Sequence, residues 1–331
     1  MIPEDLRTIA MRDWLENDLL LDILHCEPAS SDASFRRYFR IKAPQGQFIV
    51  MDAPPEKENV EPFIRIAGLM RQSQIHVPAI FEQNLADGFL LLEDFGSHCI
   101  LDRLDGQSVE ALYQSACDSL FKLQTLTPVQ DSGLASYDEA LLQRELGLFD
   151  DWFLNQLLDI ELPKPVLANV HKLLIASALE QPVTCVHRDY HSRNLMILSN
   201  NGPGIIDFQD AVIGPITYDL VSLLRDCYIA WPEQQVESWL SRYYQRLLQA
   251  GLIDCELSQF KRWFDLMGMQ RHLKAIGIFS RLHLRDGKSS YLKDIPRTLN
   301  YVIGVCAAYP ELSDFGRLLA ELDLTLPAVA A

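Results

Sequence analysis

The sequence has little of what marks a secreted, membrane-spanning or zinc-binding protein. Its seven cysteines are odd in number and scattered, with no Cys-x-x-Cys pair. They favour reduced thiols in a cytosolic protein over a disulfide framework or a zinc site. No apolar run reaches the ~18 residues that a membrane span needs, and the acidic, amphipathic start does not read as a secretory signal. Together these absences predict a cytoplasmic protein.

Positive charge is also scarce. Lysine and arginine number 29 against 45 aspartates and glutamates, which gives a net charge of −16. Such a field repels nucleic acid and anionic membranes, so we expect neither as a partner. The same field favours cationic small molecules by steering. The sequence leaves the oligomeric state open.

A length of 331 residues predicts two domains of about 150 residues each. We expect an N-terminal lobe over 1–95, with a lead-in helix over 1–27, two hairpins that turn near 44–46 and 87–88, and a helix over 58–73. The remainder, 96–331, reads as mainly helical with short β pieces. The composition, 48% hydrophobic, indicates a folded globular chain.

The strongest local signal is His187-Arg188-Asp189-Tyr190-His191-Ser192-Arg193-Asn194, followed by Asp207 after the apolar pair Ile205-Ile206. Asp189 comes just after an apolar strand, and a carboxylate there can orient a hydroxyl and accept its proton. Asn194 and Asp207 offer the hard oxygen ligands that magnesium prefers, in position to hold it against ATP phosphates. The pattern predicts the catalytic centre of a kinase.

Two nearby residues have structural interpretations. His187 is expected to support the loop rather than take part in the chemistry. Asp219, in the segment Gly214-Pro215-Ile216-Thr217-Tyr218-Asp219, stands at a helix start. It is either an ordinary first-turn acid or, as we favour, an acceptor for backbone amides of the catalytic loop.

These motifs carry a resemblance. Residues 30–225 resemble the aminoglycoside phosphotransferase / choline kinase family, which uses H-x-D-x-x-x-x-N, then I-D-F, then G-x-x-x-x-D. The resemblance implies an α+β, protein-kinase-like two-lobed fold, with a small β-rich N-lobe and a larger mainly helical C-lobe. It also implies ATP and Mg²⁺ as cofactors, with Glu93 and Phe95 at the hinge that meets adenine.

A narrower resemblance covers nearly the whole chain. The segments SDASFRRYFR, VMDAPPE, RELGLFDDWFL and MQRHLKAIGIFSRL are similar to the bacterial kinases that phosphorylate the anomeric C1 hydroxyl of N-acetylmuramate and N-acetylglucosamine. Those kinases are cytoplasmic enzymes of cell-wall sugar recycling. The implied partner is a small amino sugar.

The third strand departs from the family pattern. It carries no lysine, and Ser31-Asp32-Ala33-Ser34 stands where a glycine-rich loop is usual. We expect Arg37, Arg40 or Lys42 to supply the missing positive charge, with Ser34 also on the phosphates. The alternatives are a solvated strand face, or phosphates that rest mainly on the metal ions.

The acceptor is expected near Asp189, against His191, Arg193, Arg225 and Arg271. Arg271, Lys274 and Arg281 recur at helical spacing. Such a stripe is either a solvated face or, in an acidic protein, an anchor for an anion such as the lactyl carboxylate of N-acetylmuramate.

Three functions follow from these patterns. The leading one is an ATP-dependent anomeric amino-sugar kinase. The second keeps the mechanism but takes an aminoglycoside or choline-like alcohol, which the net acidity favours. The third, motivated by the missing strand lysine, is a nucleotide-binding pseudokinase.

Overall fold

A computed structural model describes residues 5–31, 35–126, 132–199 and 202–322. The chain divides into two compact units. Unit 1 comprises Met1–Ser119 and Arg193–Asp210, and unit 2 comprises Leu120–Ser192 and Ala211–Ala331. Unit 1 therefore extends past residue 95 and includes a later segment of the chain, which sequence periodicity could not assign. The predicted functional division at residue 95 stays a prediction.

After about residue 100 the described residues are mainly helical, with short strands between the helices. The strands are β1 (His25–Ser31), β2 (Arg37–Ala43), β3 (Gly46–Asp52), β4 (Ile80–Asn84), β5 (Phe89–Glu93), β6 (Ala135–Ser136), β7 (Val183–Val186), β8 (Leu195–Met196), β9 (Gly204–Ile205) and β10 (Val212–Pro215). The helices are α1 (Leu6–Asp13), α2 (Glu61–Gln72), α3 (Val109–Gln124), α4 (Glu139–Leu148), α5 (Lys164–Leu179), α6 (Tyr218–Leu224), α7 (Glu233–Gln249), α8 (Leu257–Leu284), α9 (Ile295–Ala308) and α10 (Ser313–Ala320).

Unit 1 is built on an antiparallel sheet of order β1-β2-β3-β5-β4. Both predicted hairpins are present, and their turns use glycine at positive φ, Gly46 at +146° and Gly88 at +74°. One face of the sheet packs Phe39, Val50 and Phe89 into an apolar core. Alternate side chains of a strand point to one face, which is why the alternating sequence folds this way.

The N-terminal segment corrects the sequence prediction. The expected helix over 1–27 ends early: α1 stops at Asp13, a π-helical turn continues to Asp18, and β1 begins at His25. The Leu24 amide already donates to the Lys42 carbonyl oxygen, at 2.9 Å, so the chain has joined the sheet edge. The prediction was wrong because backbone pairing with β2 outweighs a local leucine periodicity.

The second part of unit 1 is a short hairpin of β8 and β9. The helix α2 buries Phe63, Ile66, Ala67 and Met70, the face predicted from sequence. Phe63 contacts Phe208, with ring centroids 4.7 Å apart.

Unit 2 joins a sheet of order β6-β10-β7 to the long helix α8. The helix is buried along most of its length, and Gly277 lets it approach the end of α4 closely. A Cβ at Gly277 would lie 2.4 Å from the Leu148 backbone. The sequence predicted β7 but not β6 or β10. Such short strands are hard to tell from loops by pattern.

No helix within the described ranges is both long and apolar enough to cross a membrane. All seven cysteines lie in those ranges, and each is a free thiol.

Candidate functional site

The catalytic loop of unit 2 begins where β7 ends. His187 is fully buried, and its Nδ1 accepts a hydrogen bond from the Asp189 amide at 3.2 Å. The His187 ring therefore helps to hold the loop backbone, the supporting role expected from the sequence. Arg188 has φ of +78°, a left-handed conformation that is unusual for a bulky residue. Such a backbone persists only where the surroundings fix it.

Two aspartates fix this loop from outside it. Asp219, in the first turn of α6, accepts from the amides of His187 at 2.6 Å and Arg188 at 3.0 Å. The favoured interpretation of Asp219 is therefore confirmed. Burial raises the pKa of Asp219 to about 7, although the amide hydrogen bonds oppose the shift. Asp226 accepts from the amide and hydroxyl of Ser192, at 2.9 and 2.5 Å.

The half-buried Asp189 stands in a positive environment. Burial raises the pKa of its carboxyl, but nearby positive groups, Lys274 foremost and then His191 and Arg271, outweigh burial. The net result is a pKa below the ordinary value. An ionised carboxylate is the form that can accept a hydroxyl proton, so this environment suits a general base.

The predicted metal ligands lie together in unit 1. The hairpin of β8 and β9 brings them close, because the Ile206 amide donates to the Asn194 carbonyl oxygen at 3.1 Å. Asn194 Nδ2 lies 3.4 Å from Asp207 Oδ2, and Gln209 Nε2 donates to Asp207 Oδ1 at 2.6 Å. Asp207 has φ of +64°, a left-handed backbone conformation that is uncommon for a residue other than glycine. The set offers one carboxylate and one amide oxygen from neighbouring side chains.

The predicted hinge residues belong to the end of β5 and the residues after it. The Glu93 amide donates to the Ala79 carbonyl oxygen at 2.9 Å, and its carboxylate accepts from the Ala79 amide at 3.1 Å. Phe95 is 8% exposed and packs on Gly204, where an added Cβ would lie 2.5 Å from the Phe95 ring. These contacts hold the segment in place. Its role towards adenine stays a prediction.

The predicted phosphate-binding arginines on β2 are both paired with carboxylates. Arg37 bonds Asp52 at 2.6 and 2.9 Å and also pairs with Asp5. Arg40 bonds Asp94 at 2.7 and 3.0 Å and the Gly96 carbonyl oxygen at 2.8 Å. Neither side chain is merely solvated, and their role at the phosphates stays untested. Ser34 lies outside the described residues.

The predicted acceptor residues differ in surroundings. Arg225 is buried and saturated, bonded to Asp265 at 2.8 Å and Glu233 at 2.6 Å. Arg271, 5% exposed, contacts Cys227 Sγ at 3.4 Å. The buried His191 ring lies 5.1 Å from the Tyr228 ring. Arg193, in unit 1, is exposed.

The basic stripe on α8 is not a solvated face, since Arg271 and Lys274 are buried. Lys274 Nζ donates to Tyr218 Oη at 3.1 Å and lies 3.1 Å from Glu145 Oε1. Sequence reasoning singled out Lys274 only as a member of the stripe. It missed Glu145, whose only signal was its place in RELGLFDDWFL, one of the segments that carry the narrower resemblance.

Comparison with known proteins identifies relatives of this chain. A profile of the phosphotransferase enzyme family, APH, matches residues 25–259. An N-acetylmuramate/N-acetylglucosamine kinase of Pseudomonas putida is 45% identical to this chain, covering 97% of it and 98% of the relative. A kinase of the same name from Pseudomonas aeruginosa is 48% identical, covering 89% and 88%.

Solved structures extend the likeness to the fold. The choline kinase LicA of Streptococcus pneumoniae gives a TM-score of 0.64 at 14% identity, covering 92% of this chain and 100% of that one. An ADP-bound aminoglycoside phosphotransferase gives 0.58 at 15% identity, covering 88% and 97%. The predicted α+β, protein-kinase-like fold is confirmed. The motif residues, the profile match and the full-length relatives agree, and the chain belongs to the phosphotransferase enzyme family.

Proposed function

We propose that the protein transfers the γ-phosphoryl group of ATP to the anomeric C1 hydroxyl of N-acetylmuramate and N-acetylglucosamine. The observation that carries this proposal is the similarity to kinases of that name over almost the whole chain. The similarity is not limited to one part of the chain, because the relatives cover both units. The product would enter cell-wall sugar recycling.

Asp189 is the proposed general base. Its carboxylate would orient the C1 hydroxyl and accept the proton late in the transfer, since phosphoryl transfer depends mainly on positioning and charge stabilisation. The loop is suited to positioning, because Asp219 and Asp226 hold its backbone at both ends. The lowered pKa of Asp189 keeps the carboxylate ionised at neutral pH.

Asn194 and Asp207 are the proposed magnesium ligands. Proteins hold this ion with one or two carboxylates together with substrate phosphates, and the neighbouring amide and carboxylate fit that donor set. When bound, Mg²⁺ would neutralise negative charge on the nucleotide phosphates. Gln209 would keep Asp207 oriented through its hydrogen bond to Oδ1.

The nucleotide is proposed to bind the N-terminal lobe, 1–95, with Glu93 and Phe95 at the adenine. Arg37, Arg40 and Ser34 would serve the phosphates. Arg40 bonds the side chain of Asp94 and the Gly96 carbonyl oxygen, which flank Phe95, so its position is tied to the segment after β5. The fold is shared with an ADP-bound phosphotransferase, which supports nucleotide binding.

The acceptor is proposed to bind the C-terminal lobe, 96–331, through His191, Arg193, Arg225 and Arg271. Arg271 is the anchor proposed for the lactyl carboxylate of N-acetylmuramate. It is buried, its Nε has no hydrogen-bond partner and no carboxylate lies within ion-pair distance of it, all among the described residues. Burial acts to lower the pKa of Arg271, and nearby groups, Asp226 and Asp189 among them, act through space to raise it, but neither aspartate bonds its Nε. That donor would therefore be satisfied by an anionic ligand group. We place this chemistry in the cytoplasm, in keeping with seven free thiols.

A second acceptor class is favoured by one observation, the net charge of −16. That field attracts cationic alcohols such as aminoglycosides or choline and repels an anionic sugar. The field acts at long range and is screened by salt, so the similarity along the whole chain has more weight.

An acceptor panel tests the proposal. The purified protein with Mg-ATP is given N-acetylmuramate, N-acetylglucosamine, kanamycin and choline in separate reactions, and ADP release is measured. We expect turnover with the acetylated sugars and its loss in Asp189→Asn. Turnover with kanamycin or choline alone would move the acceptor to the second class, and no turnover with any of the four would contradict the proposal.

A further inference from the structure

A cluster of buried charges packs beside the catalytic loop within unit 2. Its centre is Glu145 of α4, 4% exposed, with Lys274 of α8, 8% exposed. The remaining members are Arg188 of the loop and two tyrosines, Tyr137 and Tyr218. We call these five residues the loop-side cluster. Neither the phosphotransfer motifs nor the proposed ligand contacts account for it.

Glu145 is the hub of the cluster. It accepts from Arg188 Nη2 and from the Tyr137 hydroxyl, and it lies 3.1 Å from Lys274 Nζ. Lys274 in turn donates to the Tyr218 hydroxyl at 3.1 Å. Glu145 of α4 thus holds the Arg188 side chain, and Lys274 of α8 in turn holds Glu145.

The backbone of the same loop is held by a different element, the first turn of α6. Tyr218 immediately precedes Asp219, which accepts from the Arg188 amide at 3.0 Å. Lys274 therefore contacts the α6 turn that fixes the loop backbone and the glutamate that fixes the loop side chain. The φ of +78° at Arg188 is a conformation that only such surroundings maintain.

Stability alone does not explain an ion pair at this place. Burying two charges carries a desolvation penalty that burying two apolar side chains does not. Replacing a buried ion pair by apolar residues of similar volume therefore often leaves stability unchanged or raises it. Burial, moreover, acts against both ionised forms, yet the pKa of Lys274 lies above its ordinary value and that of Glu145 below, since each is held by opposite charges.

The order of charge along the cluster suggests what the pair does. Within the loop-side cluster, Arg188, Glu145 and Lys274 alternate positive, negative and positive. Asp189, the loop residue after Arg188, adds one negative charge, so these four residues are neutral overall. Lys274 contributes the largest single charge effect on Asp189. Loss of Lys274 would leave Asp189 with less positive charge around it, and loss of Glu145 would release Arg188.

We propose that Glu145 and Lys274 are positioning residues for the catalytic aspartate: Glu145 fixes the side chain of Arg188, the residue before Asp189, and Lys274 holds both Glu145 and Tyr218 in place. The inference rests on the proposed function, in which Asp189 is the base. It adds two helices, α4 and α8, to the elements that set the geometry of phosphoryl transfer.

The test combines kinetics with thermal unfolding of the full chain. The variants are Lys274→Met, Lys274→Arg, Glu145→Gln and the neutral double variant Glu145→Gln/Lys274→Met. Lys261→Met is the matched control, because Lys261 lies on the same helix in an exposed pair with Glu237. Each is assayed with Mg-ATP and N-acetylglucosamine, next to Asp189→Asn.

We expect Lys274→Met to lower kcat by at least about tenfold, with the KM for ATP within about twofold, because an orienting charge is lost rather than a ligand contact. Lys274→Arg should recover part of kcat. The double variant should regain the Tm that Lys274→Met loses, since no unpaired charge is buried, but it should not regain kcat. Lys261→Met should resemble the wild type.

Two results would overturn the proposal: an unchanged kcat in Lys274→Met, or a double variant whose kcat recovers together with its Tm. If Asp189→Asn also kept full turnover, the proposed function would fail and the positioning role with it. An inactive Asp189→Asn beside a fully active Lys274→Met would overturn the positioning role alone.

Discussion

Two buried arginines of unit 2 differ in how their charge is satisfied. Arg225 bonds two carboxylates, those of Asp265 and Glu233, and its guanidinium lies 4.9 Å from the Phe264 ring centroid. Among the described residues, the hydrogen bond of Arg271 is the one to Cys227 Sγ, and it has no carboxylate within ion-pair distance. A guanidinium that is already saturated gains little from a ligand carboxylate, whereas one without a paired anion gains a charge-assisted hydrogen bond. This difference makes Arg271 the better anchor.

Arg271→Ala is therefore expected to distinguish the two sugars. Removal of a charge-assisted contact costs about 1.5–3 kcal/mol, so kcat/KM for N-acetylmuramate should fall by about tenfold to a hundredfold. The value for N-acetylglucosamine, which lacks the lactyl carboxylate, should fall much less. Steady-state kinetics with both sugars measure the ratio.

Arg262→Ala serves as the control for that experiment, because Arg262 lies on the same helix and pairs with Glu311. It should leave the ratio of the two sugars unchanged. Equal losses of kcat/KM on both sugars in Arg271→Ala would contradict the proposal that Arg271 binds the lactyl carboxylate.

At the scale of elements, α1 is tied to the sheet of unit 1 by a shared carboxylate. Asp52 at the end of β3 is fully buried and bonds Arg7 of α1 and Arg37 of β2. Arg37 reaches back to Asp5, the residue that caps α1. Three elements therefore depend on one buried acid.

Asp52→Asn should destabilise the protein by about 2 kcal/mol, because the buried carboxylate loses its charge-assisted hydrogen bonds to Arg7 and Arg37. The loss is limited because both arginines are partly exposed and Arg37 keeps its pair with Asp5. Urea unfolding measures the change. Glu237→Gln, which removes the exposed partner of Lys261, should cost less than about 1 kcal/mol. A loss for Asp52→Asn as small as that of the control would contradict the role given to this network.

The sequence predicted correctly those strands and helices whose conformation is set by residues close to one another in the chain. The hairpins of β2–β3 and β4–β5 have glycine turns and alternating strands, and α2 has a four-residue apolar face, so each is legible in the sequence. The strand β1 was missed because its amphipathic signal is broken by Pro28, where the pairing register with β2 shifts. Only pairing with β2 makes that segment extended.

The candidate site shows the same limit. Asp189, Asn194 and Asp207 stand at motif spacing, and the sequence names them. The contacts of Glu145 with Lys274 and Arg188 join residues far apart along the chain, and no periodicity in one sequence reports such a meeting. The pairing of Arg40 with Asp94 was hidden for the same reason. Arg37 and Asp52, by contrast, face each other across the predicted β2–β3 hairpin.

At the scale of the molecule, net charge and proposed substrate oppose each other. The chain carries −16, and N-acetylmuramate is an anion. Long-range repulsion should slow its encounter with the protein, while the local cations Arg271 and Lys274 act only at short range. The neutral N-acetylglucosamine does not experience this repulsion.

Salt should therefore favour the anionic sugar. As the ionic strength rises from about 0.01 to about 0.15 M, the Debye length falls from about 30 to about 8 Å. We expect kcat/KM for N-acetylmuramate to rise relative to that for N-acetylglucosamine, with both rates measured at the same ATP concentration. A ratio that falls with salt would indicate that exposed cations, rather than the buried Arg271, bind the carboxylate.

The central claim, transfer of a phosphoryl group to the anomeric oxygen, is tested most directly by a phosphorus–proton correlation NMR spectrum of the product. The protein is incubated with Mg-ATP and N-acetylglucosamine, with Asp189→Asn as the control. We expect a phosphorus signal that is coupled to the anomeric proton and that is absent with Asp189→Asn. A phosphorus signal coupled instead to the protons at C6 or another carbon, or a product that also forms with Asp189→Asn, would contradict it.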